Sequence, residues 1–120
     1  MENSIIQETE IGPEIKMNIS GSVTIKGRSM MEDASLFFKP CYEWITEYIQ
    51  LSNKSLSITI ELSYFNSSSA KQLMKILMAV DDSEIEGKVI WLYPKDNDVL
   101  LERGQELEIM LDLPFEYQAK

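Results

Sequence analysis

Residues 56 to 64 alternate strictly between apolar and polar side chains, and this pattern constrains the fold more than any other part of the sequence. The apolar positions are Leu56, Ile58, Ile60, Leu62 and Tyr64. Successive side chains of a β-strand point to opposite faces of the sheet, so the strand has one apolar face and one face in water. Because a strand covered on both faces is apolar throughout, we expect a sheet with helices mainly on one face.

The remaining chain divides into strand and helix patterns. Alternation over 15–19 and 23–25, around a turn at Ser20-Gly21, predicts a β-hairpin. Apolar residues at helical spacing predict helices at about 33–51, 67–82 and 98–111, and further strands are predicted at 88–93 and 114–117. Ser29 and Glu32 have the spacing of a capping box for the first helix, with Asp33 as the alternative cap. The order β-β-α-β-α-β-α(-β) predicts an α/β fold with a mixed four- to five-stranded sheet.

The chain length sets the domain organisation. Residues 1–12 are acidic and precede Pro13, which predicts a flexible acidic lead-in that is either mobile or paired at a sheet edge. Residues 13–120 are expected to form a single domain, because a chain of this length has room for one modest core. The first twenty residues do not resemble a signal peptide, and no stretch reaches the roughly 18 apolar residues of a membrane span. We therefore expect a cytoplasmic protein.

Charge and composition exclude several classes of function. Twenty acidic against eleven basic residues give a formal charge of -9, which repels nucleic acids and anionic membranes, so neither is an expected partner. The sequence contains no histidine, and its single cysteine, Cys41, lies among apolar residues. The usual Cys/His and Ser/His catalytic pairs and the commonest zinc ligand are therefore missing. We expect no catalytic residue, no metal site and no cofactor.

The segment Asn66-Ser67-Ser68-Ser69 lies where a predicted strand ends and a predicted helix begins. Asparagine and serine are favoured helix N-caps, but a helix needs only one cap, and three consecutive hydroxyls follow Asn66. A phosphate on one of them adds about 1.5 to 2 negative charges. The start of a helix tolerates an anion, whereas an acidic or apolar partner surface is repelled by it. The segment therefore predicts a phosphorylation switch that controls binding to a partner.

Several motifs around this segment resemble, in order and spacing, the SiaC family of bacterial regulatory phosphoproteins. They are Leu62-x-Tyr64-Phe65-Asn66-Ser67-Ser68-Ser69-x-Lys71, Gly27-Arg28-Ser29, Phe37-Phe38-x-Pro40, Trp91 and Asp98. The resemblance covers about residues 12–115 and implies a fold similar to STAS domains, the anti-sigma-factor antagonists. It also implies a partner-switching system with a kinase, a metal-dependent PP2C-type phosphatase and an effector bound by the unphosphorylated form. In the family's namesake the effector is a diguanylate cyclase, the enzyme that makes cyclic di-GMP.

The resemblance also assigns candidate site residues. It implies that Ser67, where the family often has threonine, is phosphorylated, with Ser68 and Ser69 as alternatives. The predicted switch and partner-binding residues are Asn66, Ser68, Ser69, Lys71, Arg28, Tyr64 and Phe65. Lys71 lies one helical turn beyond Ser67, where it either neutralises a phosphate or belongs to a solvated helix face. Arg28 either pairs with a phosphate or partner carboxylate, or is an ordinary surface arginine.

Two other functions remain open on the sequence. One is an antagonist of an anti-sigma factor, of the STAS type, which differs from the first hypothesis only in its partner. The other is a small non-metal enzyme that uses carboxylates and serine hydroxyls, which the missing histidine and the missing glycine-rich phosphate loop disfavour.

Overall fold

The computed structural model describes residues 1–51 and 54–120. The strands in this part of the chain are β1 (Ser4–Ile6), β2 (Glu14–Asn18), β3 (Ser22–Ser29), β4 (Ser55–Phe65), β5 (Glu86–Tyr93) and β6 (Phe115–Ala119). The helices are α1 (Ser35–Leu51), α2 (Ser67–Asp81) and α3 (Asp98–Ile109). None of these helices is both long and apolar enough to span a bilayer.

The six strands form one mixed sheet in the order β1-β2-β3-β4-β5-β6. The first three strands are antiparallel, and β3 to β6 are parallel. Each parallel connection moves one strand in the same direction through a helix, and right-handed crossovers place all three helices on the same face. The α/β fold with helices on one face is confirmed. The predicted four to five strands are corrected to six, because a three-residue strand such as β1 is too short to show alternation.

The core lies between the sheet and the helices. In the parallel pairs, Ile58 is in register with Val23 and Val89, and Ile60 is in register with Ile25 and Trp91. All of these side chains are buried, whereas Ser57, Thr59 and Glu61 on the other face are partly open to water. The alternation of residues 56–64 therefore indicates a core on one face of the sheet only.

The first residues of the chain pack at the edge of the sheet. β1 pairs antiparallel with β2. Of the two alternatives given for residues 1–12, mobile or paired at a sheet edge, β1 follows the second. The backbone carbonyl of Glu2 accepts a hydrogen bond from Nε1 of Trp44 at 2.9 Å, and Oδ1 of Asn3 accepts one from the amide of Ile19 at 2.8 Å. The flexibility of residues 1–12 stays a prediction.

Helix α1 begins at Ser35 and not at residue 33, and the predicted capping box is wrong. Ser29 is the last residue of β3 and is fully buried, so it does not cap a helix. Asp33 forms a turn just before the helix, because its Oδ1 accepts hydrogen bonds from the hydroxyl of Ser35 at 2.7 Å and from the amide of Ser35 at 3.0 Å. These hydrogen bonds lower the pKa of the Asp33 carboxyl.

Candidate switch site at the start of the second helix

A β-bulge near the end of β4 sets the direction of the residues before the serine cluster. Gly27 pairs with Leu62 but Arg28 pairs with Tyr64, so Ser63 is an extra residue in β4. Gly27 has φ +130°, a conformation that residues with a Cβ rarely adopt. The bulge exposes Tyr64 and buries Phe65. The prediction that Tyr64 continues the apolar face is therefore wrong, because the alternation skips one residue at the bulge.

Asn66 joins helix α2 to the loop between β3 and α1. Its Oδ1 accepts a hydrogen bond from the amide of Ser69 at 2.9 Å, which makes Asn66 the N-cap of α2. Its Nδ2 donates to the carbonyl of Met31 at 2.9 Å, and its backbone amide donates to the carbonyl of Ser29 at 3.1 Å. One side chain thus fixes the start of the helix and the loop of residues 30–34, which we call the β3–α1 loop.

Ser69 and Ser68 both use their hydroxyls to hold this junction together. The fully buried Ser69 hydroxyl lies 2.5 Å from the Ser29 hydroxyl and donates to Oδ1 of Asn66 at 2.8 Å or to the Ser29 carbonyl at 3.2 Å. The Ser68 hydroxyl accepts a hydrogen bond from the amide of Ala34 at 2.8 Å. Ser69 is therefore part of the core, and Ser68 ties α2 to the β3–α1 loop.

Ser67 differs from its two neighbours. It is exposed, and within the described residues its hydroxyl makes no hydrogen bond. Ser67 lines an open cleft whose other residues are Glu32, Asp33, Ser68, Lys71 and Gln72. The cleft therefore combines one free hydroxyl with two carboxylates and one ammonium group.

The other predicted site residues are divided between this cleft and its surroundings. Lys71 lines the cleft, and Tyr64 is 50% exposed just before the helix. Phe65 is 1% exposed, so its side chain cannot meet a partner directly. Arg28 lies in a different cleft with Glu8 and other residues, and its Nε donates to the carbonyl of Glu10 at 3.1 Å. The structure does not bring Arg28 into the cleft of Ser67.

Arg103 of α3 also supports the junction, and sequence reasoning missed it. Its Nη1 donates to the carbonyl of Phe65 at 3.1 Å, and its guanidinium group lies 4.0 Å from the centre of the Phe65 ring. This contact fixes the last peptide of β4 directly before Asn66. No local pattern marks Arg103, because it lies 38 residues after Phe65 in the chain and reaches β4 only through the fold.

The family model for the SiaC family regulatory phosphoprotein matches residues 6–120. The chain belongs to the SiaC family. An uncharacterized protein of Pseudomonas aeruginosa strain UCBPP-PA14 is 25% identical over 103 residues, which are 83% of this chain and 82% of that protein. The solved structure of SiaC of Pseudomonas aeruginosa is 24% identical, covers 100% of both chains and has a TM-score of 0.87.

SiaC is also known in a complex. The crystal structure of the diguanylate cyclase SiaD with its activator SiaC, from Pseudomonas aeruginosa, matches this chain with a TM-score of 0.89 and 24% identity. The match covers 98% of this chain and 99% of that one. At this identity the likeness establishes the SiaC fold of the chain, and the family model establishes its class as a regulatory phosphoprotein.

Proposed function

We propose that Ser67 is the phosphorylated residue of this SiaC-family protein, and that only the unphosphorylated form binds and regulates its effector. The proposal rests on how the hydroxyls of Ser67, Ser68 and Ser69 differ in exposure and hydrogen bonding. Ser69 is buried, and the Ser68 hydroxyl accepts a hydrogen bond from the amide of Ala34. Ser67 is exposed, and its hydroxyl makes no hydrogen bond within the described residues. A kinase can reach Ser67 without opening the fold.

A phosphate on Ser67 changes the charge of the cleft without unfolding the helix. At the start of α2 the helix dipole favours an anion by about 0.3 to 1 kcal/mol. Lys71 offsets one negative charge, but Glu32 and Asp33 line the same cleft, so the phosphorylated surface is strongly acidic. A partner that packs an acidic or apolar surface there loses affinity through repulsion and desolvation.

The partners in this proposal are proteins. The effector is a diguanylate cyclase, as suggested by the complex in which SiaC activates SiaD, and binding regulates the synthesis of cyclic di-GMP. A protein kinase adds the phosphate, and a PP2C-type phosphatase removes it. The chain itself is a cytoplasmic binding protein and not an enzyme. An antagonist of an anti-sigma factor is the alternative with the same switch and a different partner.

The test compares two phosphoproteins of equal charge. Phosphoserine is incorporated at position 67 or, as the control, at the exposed Ser20 in the β2–β3 turn, at the opposite end of β3 from the cleft. Binding to the diguanylate cyclase of the same organism and its synthesis of cyclic di-GMP are measured. We expect phosphoserine at 67 to weaken binding about tenfold or more and to abolish regulation, and phosphoserine at 20 to do neither. Equal behaviour of the two phosphoproteins contradicts the proposal.

A further inference from the structure

A groove runs between α1 and α2 next to the cleft of Ser67, and we call it the α1–α2 groove. Among the residues that line it are Leu36, Lys39, Tyr42 and Glu43 of α1 and Gln72 and Lys75 of α2. Gln72 also lines the cleft of Ser67, so the groove and the cleft are continuous. All of the lining residues belong to the two helices, which leaves the groove open to a partner.

The charge balance of the groove is opposite to that of the whole protein. Its lining residues carry two ammonium groups, on Lys39 and Lys75, and one carboxylate, on Glu43. The whole chain has 20 acidic against 11 basic residues. Neither lysine forms an ion pair within the described residues, whereas the ion pairs in that part of the chain join residues outside α1 and α2. The groove therefore presents a small excess of positive charge, free of ion pairs, on an acidic protein.

The walls of the groove hold a cation and an apolar side chain in positions that a partner can reach. Nζ of Lys75 lies 4.4 Å from the centre of the Tyr42 ring, and this cation–π contact limits the freedom of the lysine without using its hydrogen-bond donors. Leu36, in the first turn of α1, is 79% exposed. A partner that covers Leu36 and binds Lys75 therefore buries apolar surface and meets a cation that is already ordered.

We propose that the α1–α2 groove binds an acidic segment of the effector that carries a large apolar side chain. Carboxylates of the segment pair with Lys39 and Lys75, and its apolar side chain covers Leu36. Charge complementarity selects this occupant, because the groove attracts carboxylates while the net charge of the protein opposes their binding elsewhere. Nucleic acid and an anionic membrane extend beyond the groove and meet that opposing charge. The inference rests on the proposed function and names the chemistry of the effector segment.

An acidic occupant accounts for the control of binding by Ser67. Ser67, Lys71 and Lys75 follow one another at intervals of four residues, which places them along one face of α2. Ser67 and Lys75 are about 12 Å apart along the helix axis. A phosphate on Ser67 adds about 1.5 to 2 negative charges at the end of the groove and engages Lys71. An acidic segment that runs along this face is therefore repelled.

The test uses a designed peptide of about 12 residues, made of glutamate and leucine and long enough to cover the groove. Its control has glutamine in place of every glutamate. Binding to the full-length, unphosphorylated protein is measured by fluorescence anisotropy. We expect the glutamate peptide to bind about tenfold more tightly than the glutamine peptide and to lose this advantage as the salt concentration rises.

Matched variants locate the binding site of the peptide. Lys39→Gln together with Lys75→Gln is expected to weaken binding about tenfold. Lys16→Gln together with Lys88→Gln makes the same change of net charge at exposed residues of the sheet, and it is expected to change binding less than about twofold. Glu43→Gln removes the carboxylate that lines the groove, so it is expected to strengthen binding severalfold.

The apolar contact and the link to Ser67 are tested in the same assay. Leu36→Ser is expected to weaken binding severalfold, whereas Ile109→Ser, at a residue of α3 that is 82% exposed, leaves it unchanged. Phosphoserine at 67 is expected to weaken binding severalfold, and phosphoserine at 20 is not. Equal binding of the two peptides, equal effects of the two double lysine variants, weaker binding in Glu43→Gln, or unchanged binding with phosphoserine at 67 overturns the inference.

The diguanylate cyclase of the same organism separates this inference from the proposed function. If the cyclase responds to phosphoserine at 67 but binds the Lys39→Gln, Lys75→Gln variant normally, the groove is wrong and the switch stands. If the peptide results hold but the cyclase does not respond to phosphoserine at 67, the proposed function is wrong and the groove is a site for an acidic segment of another partner.

Discussion

Three consecutive serines at the start of one helix have different roles because successive helical residues point in different directions. A rotation of about 100° per residue turns Ser69 into the core, Ser68 toward the β3–α1 loop and Ser67 toward water. The same residue type is thus a buried hydrogen-bonding group, a loop tether and a free hydroxyl within one turn.

This difference predicts that the same substitution lowers the stability of the protein at one serine and leaves it almost unchanged at another. Ser69→Ala removes the hydroxyl that meets Ser29 and Asn66, and it leaves the buried Ser29 hydroxyl without that partner. We expect a loss of about 1 to 3 kcal/mol in the free energy of unfolding. The matched change Ser67→Ala removes no hydrogen bond and is expected to stay within about 0.5 kcal/mol. Denaturant unfolding of both variants measures this, and equal losses would show that the assigned network is incorrect.

Cys41 gives a second prediction at this scale. Burial raises the pKa of its thiol from 9.0 to about 12. At about pH 9 the folded protein therefore keeps a neutral, enclosed thiol, which is expected to react with iodoacetamide only after unfolding. Because the unfolded chain loses the proton at lower pH, the contribution of this group to stability falls as the pH rises from 9.0 toward about 12. Rapid labelling of the native protein would contradict this assignment.

At the scale of elements, the site depends on the contact between the β3–α1 loop and the start of α2. The side chain of Asn66 donates a hydrogen bond to the carbonyl of Met31, and the hydroxyl of Ser68 accepts one from the amide of Ala34. Glu32 and Asp33 lie between these two tethers and line the cleft of Ser67. A charge placed on Ser67 therefore acts on the loop as well as on a partner.

Phosphoserine at 67 is expected to loosen this loop by repelling its two carboxylates. The readout is hydrogen exchange of the Ala34 amide, which should become severalfold faster as its hydrogen bond to Ser68 opens. The Leu100 amide, held by Oδ1 of Asn97 at the start of α3, is a matched control that should not change. Glu32→Gln should reduce the effect. Unchanged exchange at Ala34 would show that the phosphate acts on the partner alone.

Helix α3 is fixed to the sheet by close packing of Gly104 on Trp91. A Cβ at position 104 would lie 2.7 Å from the indole ring, which is held by a hydrogen bond from its Nε1 to the carbonyl of Leu100 and by edge contact with Phe65. Gly104→Ala is expected to lower the free energy of unfolding by about 1 kcal/mol or more, because overpacking outweighs the gain in helix propensity. Gln105→Ala, at an exposed neighbour, should stay within about 0.5 kcal/mol. Equal thermal stability of the two variants would contradict the packing argument.

At the scale of the whole molecule, the periodicity of apolar residues predicts the features of the fold that depend on burial. The alternation of 56–64 indicates the one-sided core, and helical spacing locates α1, α2 and α3 to within a few residues. The misassignments have physical causes. The three-residue strand β1 is too short for a pattern, the bulge at Ser63 breaks the alternation before Tyr64, and Ser29 pairs with a residue 40 positions away.

The site is predictable only in its local part. Asn66 and the serines predict a capped helix. The family resemblance indicates that Ser67 is the phosphorylated serine. The contact of Arg103 with Phe65 and the separation of Arg28 from the cleft arise from long-range packing. No short-range pattern in the sequence contains them.

The central claim is that Ser67 alone among the three serines carries a reversible phosphate. Intact mass and phosphosite mapping on protein isolated from its native cells, before and after treatment with a PP2C-type phosphatase, test this claim most directly. We predict one phosphate, on Ser67, that the phosphatase removes. A phosphate on Ser68 or Ser69, or no phosphate under any growth condition, would contradict it.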